Sequence, residues 1–336
     1  MWDRVETDDQ IGIVRTFVHN PCMIDRRLHV LRMVASCGTV TGAAEALHYA
    51  PSAVSQQLRT LGKELGVTLV VQDGRRIRLT PAARVLLEHA DELFSSWEEI
   101  RGLIAAAAGE GIGTLRLCGF STAAAALLPG VAAGVHATFP RSRVRIIEAD
   151  PEECFDLLLA DEADVAVVVA TATLPPTTDA RFEQRYLLED PLDLLVPESH
   201  RLAGERSVLL GALVEESWIM DRPGRPYHQL LQTACAAAGF SPAVTHVAAE
   251  WDTGAALVAA GLGIALIPRL AHLPSGYPIF RVPLRGDPTP SRHILTGIRR
   301  GSAQQPLIAD ALERLEASAE GRRMDGRRPS QRADDD

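Results

Sequence analysis

Ser52, Ser55, Gln56 and Arg59 stand at i, i+3, i+4 and i+7 of one short stretch, a spacing that gathers them onto one face of a helix. Hydroxyl, amide and guanidinium groups are those that bond base edges in a DNA major groove and the phosphates beside it. Ala53, within the same stretch, and Thr41, just upstream, are assigned to the same DNA-facing set. Arg75, Arg76 and Arg78 follow closely. Three cations so near together suit the neutralisation of a polyanion.

Bond-breaking chemistry finds little support. Gly119-Phe120-Ser121-Thr122-Ala123 resembles part of a nucleophile elbow, but the second Gly is missing and no Asp/His pair stands out downstream. Gly261-Leu262-Gly263 is a lone G-x-G, explained by tight packing at a helix-to-strand turn. The five cysteines, Cys22, Cys37, Cys118, Cys154 and Cys235, form no C-x-x-C pair and join no His cluster at metal spacing. They read as reduced, mostly buried thiols of a cytosolic protein, with Cys118 a candidate redox sensor. No catalytic residue, metal or cofactor is therefore expected.

Short helices must position the polar face. Ala43, Ala44 and Leu47 fall at helical spacing, and the small Ala pair lets another helix approach closely. Thr41 is placed to cap this first helix. Pro51 suits the first turn of the next, where its missing N–H costs nothing. Val54, Leu58 and Leu61 then point inward, opposite Ser52, Gln56 and Arg59. Gly66 can stop the helix in a left-handed conformation. Asp73-Gly74, between β-rich runs at 67–71 and 77–80, is a hairpin signal that places the arginines at a tip and on its return strand. Residues 25–84 hold nine basic and four acidic side chains, +5 on a chain of −9. A basic module on an acidic body is the asymmetry of a chain in which one part holds a polyanion. An ordinary surface hairpin or a solvated charge run explains either feature singly, but less well both in one place.

Residues 25–84 resemble the winged helix-turn-helix of LysR-type transcriptional regulators, and the order of parts behind them matches that family over nearly the whole chain. The resemblance is carried by Gly42-Ala43-Ala44-Glu45-Ala46-Leu47-His48, Pro51-Ser52-Ala53-Val54-Ser55-Gln56-Gln57-Leu58, Leu65-Gly66-Val67 and Gly74-Arg75-Arg76-Ile77-Arg78-Leu79-Thr80-Pro81-Ala82. There are departures. Ala50 stands where the family usually has a Ser or Thr cap, which weakens the helix start by ~1 kcal/mol. Gly62 replaces a usual Glu, and Val70 and Gln72 replace a usual Phe and Arg. The last change moves the wing's DNA grip onto Arg75, Arg76 and Arg78. The resemblance implies a sequence-specific regulator of double-stranded promoter DNA, modulated by a small-molecule effector. It also implies a homodimer or a homotetramer built from dimers, and RNA polymerase as a further partner if the protein activates.

The fold class that follows is multi-domain α/β. A winged helix-turn-helix occupies 23–80, a linker helix 81–108, and a two-lobed α/β effector-binding domain of periplasmic-binding-protein type 114–300. Leu86, Ala90, Leu93, Trp97, Ile100 and Ile104 recur at steps of four and three, a heptad seam that calls for a partner helix. Packing against the chain's own body is the alternative. Glu88, Asp91, Glu92, Glu98 and Glu99 are read as its wet faces. In the family this helix pairs two subunits. Gly109-Glu110-Gly111-Ile112-Gly113 reads as a hinge.

Beyond it, strands at 114–119, 144–148 and 164–170 alternate with helices at 123–139 and 154–160. This βαβαβ order points to parallel sheets with ligand crevices at the strand ends. Strands at 192–197, 218–221, 244–247 and 263–268 with helices at 227–239 and 252–260 form a second lobe, and 278–283 is read as the strand returning to the first. Lobe I is placed at about 114–187 and 281–300, and lobe II at about 188–280. Ser121 and Thr122 precede a helix in one lobe, and Asp252 and Thr253 in the other. Free N–H groups and hydroxyls there would face an anion, and in the family hydroxyl residues at these helix starts commonly line the effector pocket. Trp218, Met220 and Arg222 are placed along the border of the crevice. Asp252 favours an amine on the ligand, so an amino acid or amine-bearing effector is expected, with an organic acid as the alternative.

With 336 residues and 46% hydrophobic content, the chain can bury sizeable cores. Its apolar runs, such as 255–268, are too short to span a bilayer, and residues 1–22 lack the apolar core of a signal peptide. A cytoplasmic protein with no membrane partner is expected. Met23 lies where family members usually begin, so 1–22 is read as a disordered extension or a misplaced start. The charged stretch 321–336 is read as a disordered tail. A ligand-binding protein whose hairpin serves only assembly, and a hydrolase using Ser121, are the competing readings.

Overall fold

The computed structural model of the chain describes residues 24–74, 76–108 and 113–325. The expected N-terminal extension, Cys22, Arg75, hinge residues 109–112 and the tail from 326 onward lie outside the described residues.

Three helices open the fold: α1 (Arg26–Cys37), α2 (Val40–Ala46) and α3 (Pro51–Leu65). The cap of α2 is Thr39, not Thr41. Thr39 has extended backbone, and its hydroxyl oxygen accepts from the Gly42 N–H at 3.0 Å; Thr41 is already inside the helix and cannot reach back. Ala50 starts α3 without a side-chain cap, and Gly66 ends it at φ 69°. Val54, Leu58 and Leu61 are buried against Val30, Leu31 and Ala43. The hairpin is β1 (Val70–Asp73) and β2 (Arg76–Leu79), with Asp73 opposite Arg76. Its first strand begins later than the β-rich run suggests, because the Val67 N–H is used to bond the Gly62 carbonyl at the end of α3.

The linker helix α4 (Pro81–Ala107) has 27 residues and is capped by Thr80, whose hydroxyl also donates to the Thr68 carbonyl at 2.7 Å. Two of its expected wet residues are not wet. Glu98 is buried and accepts from the Arg299 guanidinium at 3.0 Å, and Asp91 pairs with buried Arg32 at 2.8 Å. Periodicity counts a carboxylate as solvated, whereas here a cation from another element meets each one. The seam is divided in the same way. Ala90 is fully buried and Leu86 packs on the head's own core, while Leu93, Ile100 and Ile104 are exposed.

Lobe I contains β3 (Thr114–Gly119), α5 (Ser121–Ala126), α6 (Leu128–Thr138), β4 (Arg143–Glu148), α7 (Pro151–Leu159) and β5 (Val165–Val169). The helix expected over 123–139 is two, because Pro129 has no N–H to continue the ladder from α5. The strands β4, β3 and β5 are parallel, as expected. Next comes β6 (Phe182–Pro197), 16 residues that run unbroken through both lobes. Lobe II adds β7 (Val208–Leu209), β8 (Ser217–Met220), α8 (Pro226–Ala237), β9 (Ala243–Val247), α9 (Trp251–Ala259), β10 (Ala265–Pro268) and β11 (Ile279–Arg285). The chain then returns through β12 (Ser291–Arg299), and α10 (Pro306–Asp325) is the last described element.

Two expectations are corrected here. The strand at 278–283 does not return to lobe I, since β11 pairs with the lobe II half of β6 and with β7. The returning strand is β12, antiparallel to both β5 and β6, so the lobe I sheet is mixed. Residues 321–325, counted with the tail, belong to α10. That helix buries Ile308, Ala311, Leu312, Leu315 and Ala319 beside α6, an i, i+3, i+4, i+7, i+11 stripe that stabilises it. Among the described residues, no helix is long and apolar enough to cross a membrane.

One apolar cluster spans the head and lobe I, running from Val30 and Leu58 to Phe155 and Phe182. The head therefore packs on its own lobe, with the Ser36 hydroxyl donating to Asp156 of α7 at 3.1 Å.

Candidate nucleic-acid interface and interlobe cleft

On α3, Ser52, Gln56 and Arg59 are exposed, and Ala53 and Ser55 are half-exposed. The Arg59 guanidinium donates to the Gln56 amide oxygen at 3.1 Å, which holds both outward. Arg76 and Arg78 are exposed on β2, while Ile77 and Leu79 between and after them pack inward. Between α3 and the hairpin lies a concavity of about 830 Å³ that takes in Thr41, Ser55, Arg59, Lys63, Thr68 and Arg76. Thr41, though no cap, thus lies with the predicted polar set. Lys63 was not singled out, yet it stands four residues after Arg59 on the same helical face, and that spacing was the available signal. Gln72 contributes no charge, and its amide only reaches the Gly74 carbonyl at 3.5 Å.

Two basic residues leave the positive set. Arg27 is held by Asp25 at 2.6 Å and by Glu64 at 2.8 Å. Arg32 is buried over the Phe94 ring, with its centroid 4.6 Å from the guanidinium carbon. The interface charge rests on α3 and β2.

The second site lies where the lobes meet. Thr122 at the start of α5 is buried, and its hydroxyl oxygen accepts from the Trp251 indole N–H of α9 at 3.2 Å, a bond from one lobe to the other. Trp251 stands edge-on to Tyr227 with ring centroids 4.8 Å apart. Behind them, Arg292 of β12 and Asp190 of β6 form an ion pair at 2.6 Å with both side chains nearly inaccessible. The Arg292 guanidinium carbon sits 5.1 Å from the Phe120 ring centre and 6.0 Å from that of Trp251. Arg225 and Asp150 approach across the mouth at 3.7 Å. Burial pushes the Tyr227 phenol well above its ordinary range, so its O–H stays a donor, given to the Leu266 carbonyl at 2.8 Å.

Ser121 is exposed beside this cluster, as are Asp252, Thr253 and Arg222 in lobe II. Asp252 accepts from the Tyr277 hydroxyl at 3.2 Å through one of its two oxygens. Trp218 and Met220 do not border the cleft. They are buried in the lobe II core with Leu192, Leu194 and Leu231, because β8 is covered on its apolar side by α8. The residues that do converge, Trp251, Tyr227, Asp190 and Arg292, were missed. Trp251 carried a weak signal, standing directly before Asp252 at the same helix start.

Cys118 is fully buried, its thiol set toward the Cys154 carbonyl at 3.8 Å. Hydrogen bonding with Cys154 and burial push that thiol far above its ordinary range. A protonated, inaccessible thiol is a poor nucleophile, which removes the redox reading. Among the described residues, no group of His, Cys, Asp and Glu is arranged to hold a metal ion.

Comparison with known proteins finds two matched regions in the chain. Residues 26–84 match the model of the bacterial regulatory helix-turn-helix protein, lysR family, and residues 108–320 match that of the LysR substrate binding domain. The HTH-type transcriptional regulator ShiR of Corynebacterium glutamicum is 29% identical over 253 residues, which cover 69% of this chain and 84% of that protein. A full-length OxyR variant from Pseudomonas aeruginosa has a similar structure, with a TM-score of 0.58 and 23% identity over 87% of this chain and 96% of its own. Full-length CbnR, a LysR family regulator solved in complex with its target DNA, aligns with a TM-score of 0.52 and 23% identity over 88% of this chain and all of its own. At these identities the two structures speak for the fold alone. Family and relatives are regulators rather than enzymes, and by its two matched domains this chain belongs to the LysR-type transcriptional regulators, DNA-binding proteins with a C-terminal effector-binding domain.

Proposed function

We propose that this regulator reads promoter DNA with Ser52, Ala53, Ser55, Gln56 and Arg59 of α3 in the major groove. Arg76 and Arg78, together with Arg75, hold the flanking backbone, and Thr41 and Lys63 line the path of the phosphates between helix and wing. The carrying observation is the outward Arg59–Gln56 pair beside a basic concavity, since a bidentate side chain on a groove-sized helix gives base discrimination. The test is a gel shift against the chain's own upstream region with wild type, Arg59→Ala and Gln56→Ala. Equal binding by all three would remove α3 as the reading element.

The working unit is a homodimer, or a tetramer built from dimers, paired through the exposed part of α4. Leu93, Ile100, Leu103 and Ile104 leave a stripe that water solvates poorly, and two heads on one frame bind two half-sites together. The effector is a small amino acid or organic acid received between the lobes, where Ser121, Thr122 and Thr253 offer hydroxyls. Loss of the ligand-induced thermal shift in Ser121→Ala supports that placement, and its retention removes it. The protein acts in the cytoplasm, with RNA polymerase as a partner where the outcome is activation.

A further inference from the structure

The strand β12 reaches both the cleft and the linker helix. Its cleft end carries Arg292, set against Phe120 and Trp251. Its far end carries Arg299, a buried guanidinium that bonds Glu98 of α4 at 3.0 Å, Asp164 at 2.9 Å and the Leu158 carbonyl of α7 at 3.2 Å. The other oxygen of Glu98 accepts from the Gln305 amide at 2.6 Å. Between these ends, a Cβ on Gly297 would meet the Phe155 ring of α7 at 3.3 Å, and α7 in turn supports the head through Asp156 and Ser36.

The contact with α4 is tight in its backbone as well. A Cβ on Gly102 would come within 3.3 Å of the Gln304 backbone, and one on Gly301, at φ +85°, within 2.3 Å of the Ser95 carbonyl. Because β12 is laddered on both edges, to β5 and to β6, it moves as part of a sheet rather than alone. A buried ion pair contributes little net stability compared with apolar residues of similar volume, but it admits few geometries. That restriction is what a mechanical link requires.

We propose that β12 couples the cleft to the DNA-reading heads, with the Arg299–Glu98 pair as the joint that fixes the linker helix to the strand flooring the cleft. Arg299 and Glu98 are positioning residues and touch neither DNA nor effector. An occupant of the cleft that displaces Trp251 or Arg292 shifts β12, and α4 follows through the joint. This rests on the regulator reading of head and cleft.

The test uses the full chain and a double-mutant cycle. Trp251→Ala removes the Thr122 bond and the contact over Arg292, standing in for an occupied cleft, and Glu98→Gln uncharges the joint while keeping its shape. Affinity for the upstream DNA and hydrogen exchange across α4 are measured in all four proteins, with Arg299→Lys as a second joint variant that keeps the charge. In the wild-type background, Trp251→Ala should change DNA affinity by at least about fivefold and alter exchange at 93–107. In the Glu98→Gln background both effects should vanish, and in Arg299→Lys they should persist in part. Equal effects of Trp251→Ala with and without Glu98→Gln overturn the coupling, as does a Trp251→Ala protein with unchanged exchange in α4. Exchange needs no DNA, so wild type failing to bind the upstream region would overturn the promoter reading while the coupling is still decided.

Discussion

On the proposed reading the Arg59 guanidinium is the main base-edge donor of α3, and its truncation to Ala should weaken specific DNA binding by roughly 1–3 kcal/mol while relaxing discrimination at one base pair. Arg76→Ala and Arg78→Ala should behave differently. Each should weaken all sequences alike and lower the slope of log affinity against log salt by about one, which titrations at several salt concentrations read directly. Protonation supplies a separate test. Burial alone would raise the Asp164 carboxyl, but the Arg116 hydrogen bond and the Arg299 charge overcome it and hold the group at about 2, against an ordinary 3.8. A depressed carboxyl contributes stability above pH 3.8 that is lost as pH falls through 2, on the order of 2 kcal/mol. Asp164→Asn should flatten that limb of the acid-unfolding curve. His29 is lowered to about 4, first by burial and then by the Arg32 charge, so stability should also fall between pH 6.5 and 4, and His29→Gln should remove that part. Ser52, Gln56 and Arg59 were legible because one helical face needs only local spacing. Asp190 and Arg292 were not, since 102 residues separate them and only strand pairing brings them together.

Among the elements, α4 is asked to do two things at once. Its Leu93, Ile100 and Ile104 face outward, while Asp91, Glu98 and Gly102 are fitted to the chain's own body. Ile100→Asp should therefore separate the proposed dimer, read as a halved mass by light scattering, without loss of the fold; an unchanged mass would contradict pairing through α4. Glu98→Ala should instead leave the proposed dimer intact and lower stability by about 1–3 kcal/mol, because it takes one partner from the buried Arg299 while Asp161 and Asp164 still pair with it. The length and amphipathic period of α4 were plain in the residues. Which carboxylates were buried was not, because a buried Glu and a solvated one look alike until the opposing Arg299 is placed. Thr39 taking the cap from Thr41 and the break at Pro129 are smaller cases in which local hydrogen bonding decided a boundary.

At the scale of the molecule, a basic head is packed on an acidic two-lobed body through a shared apolar cluster, and the lobes are closed on each other by Trp251 and Thr122. The order of head, linker and lobes could be read from composition and from alternating strands and helices. The return through β12 and the helix α10 could not, since β11 and β12 follow one another closely in the chain and only pairing distinguishes the lobes they join. The proposed pairing of heads under ligand control makes one demand that can be measured directly. Titration and footprinting of the full chain on its own upstream region and on a scrambled copy should show binding to the former tighter by at least about a thousandfold. Two protected half-sites should be spaced by whole helical turns, about 10 base pairs or a multiple. Equal affinity for both DNAs, or a single isolated half-site, would contradict the account.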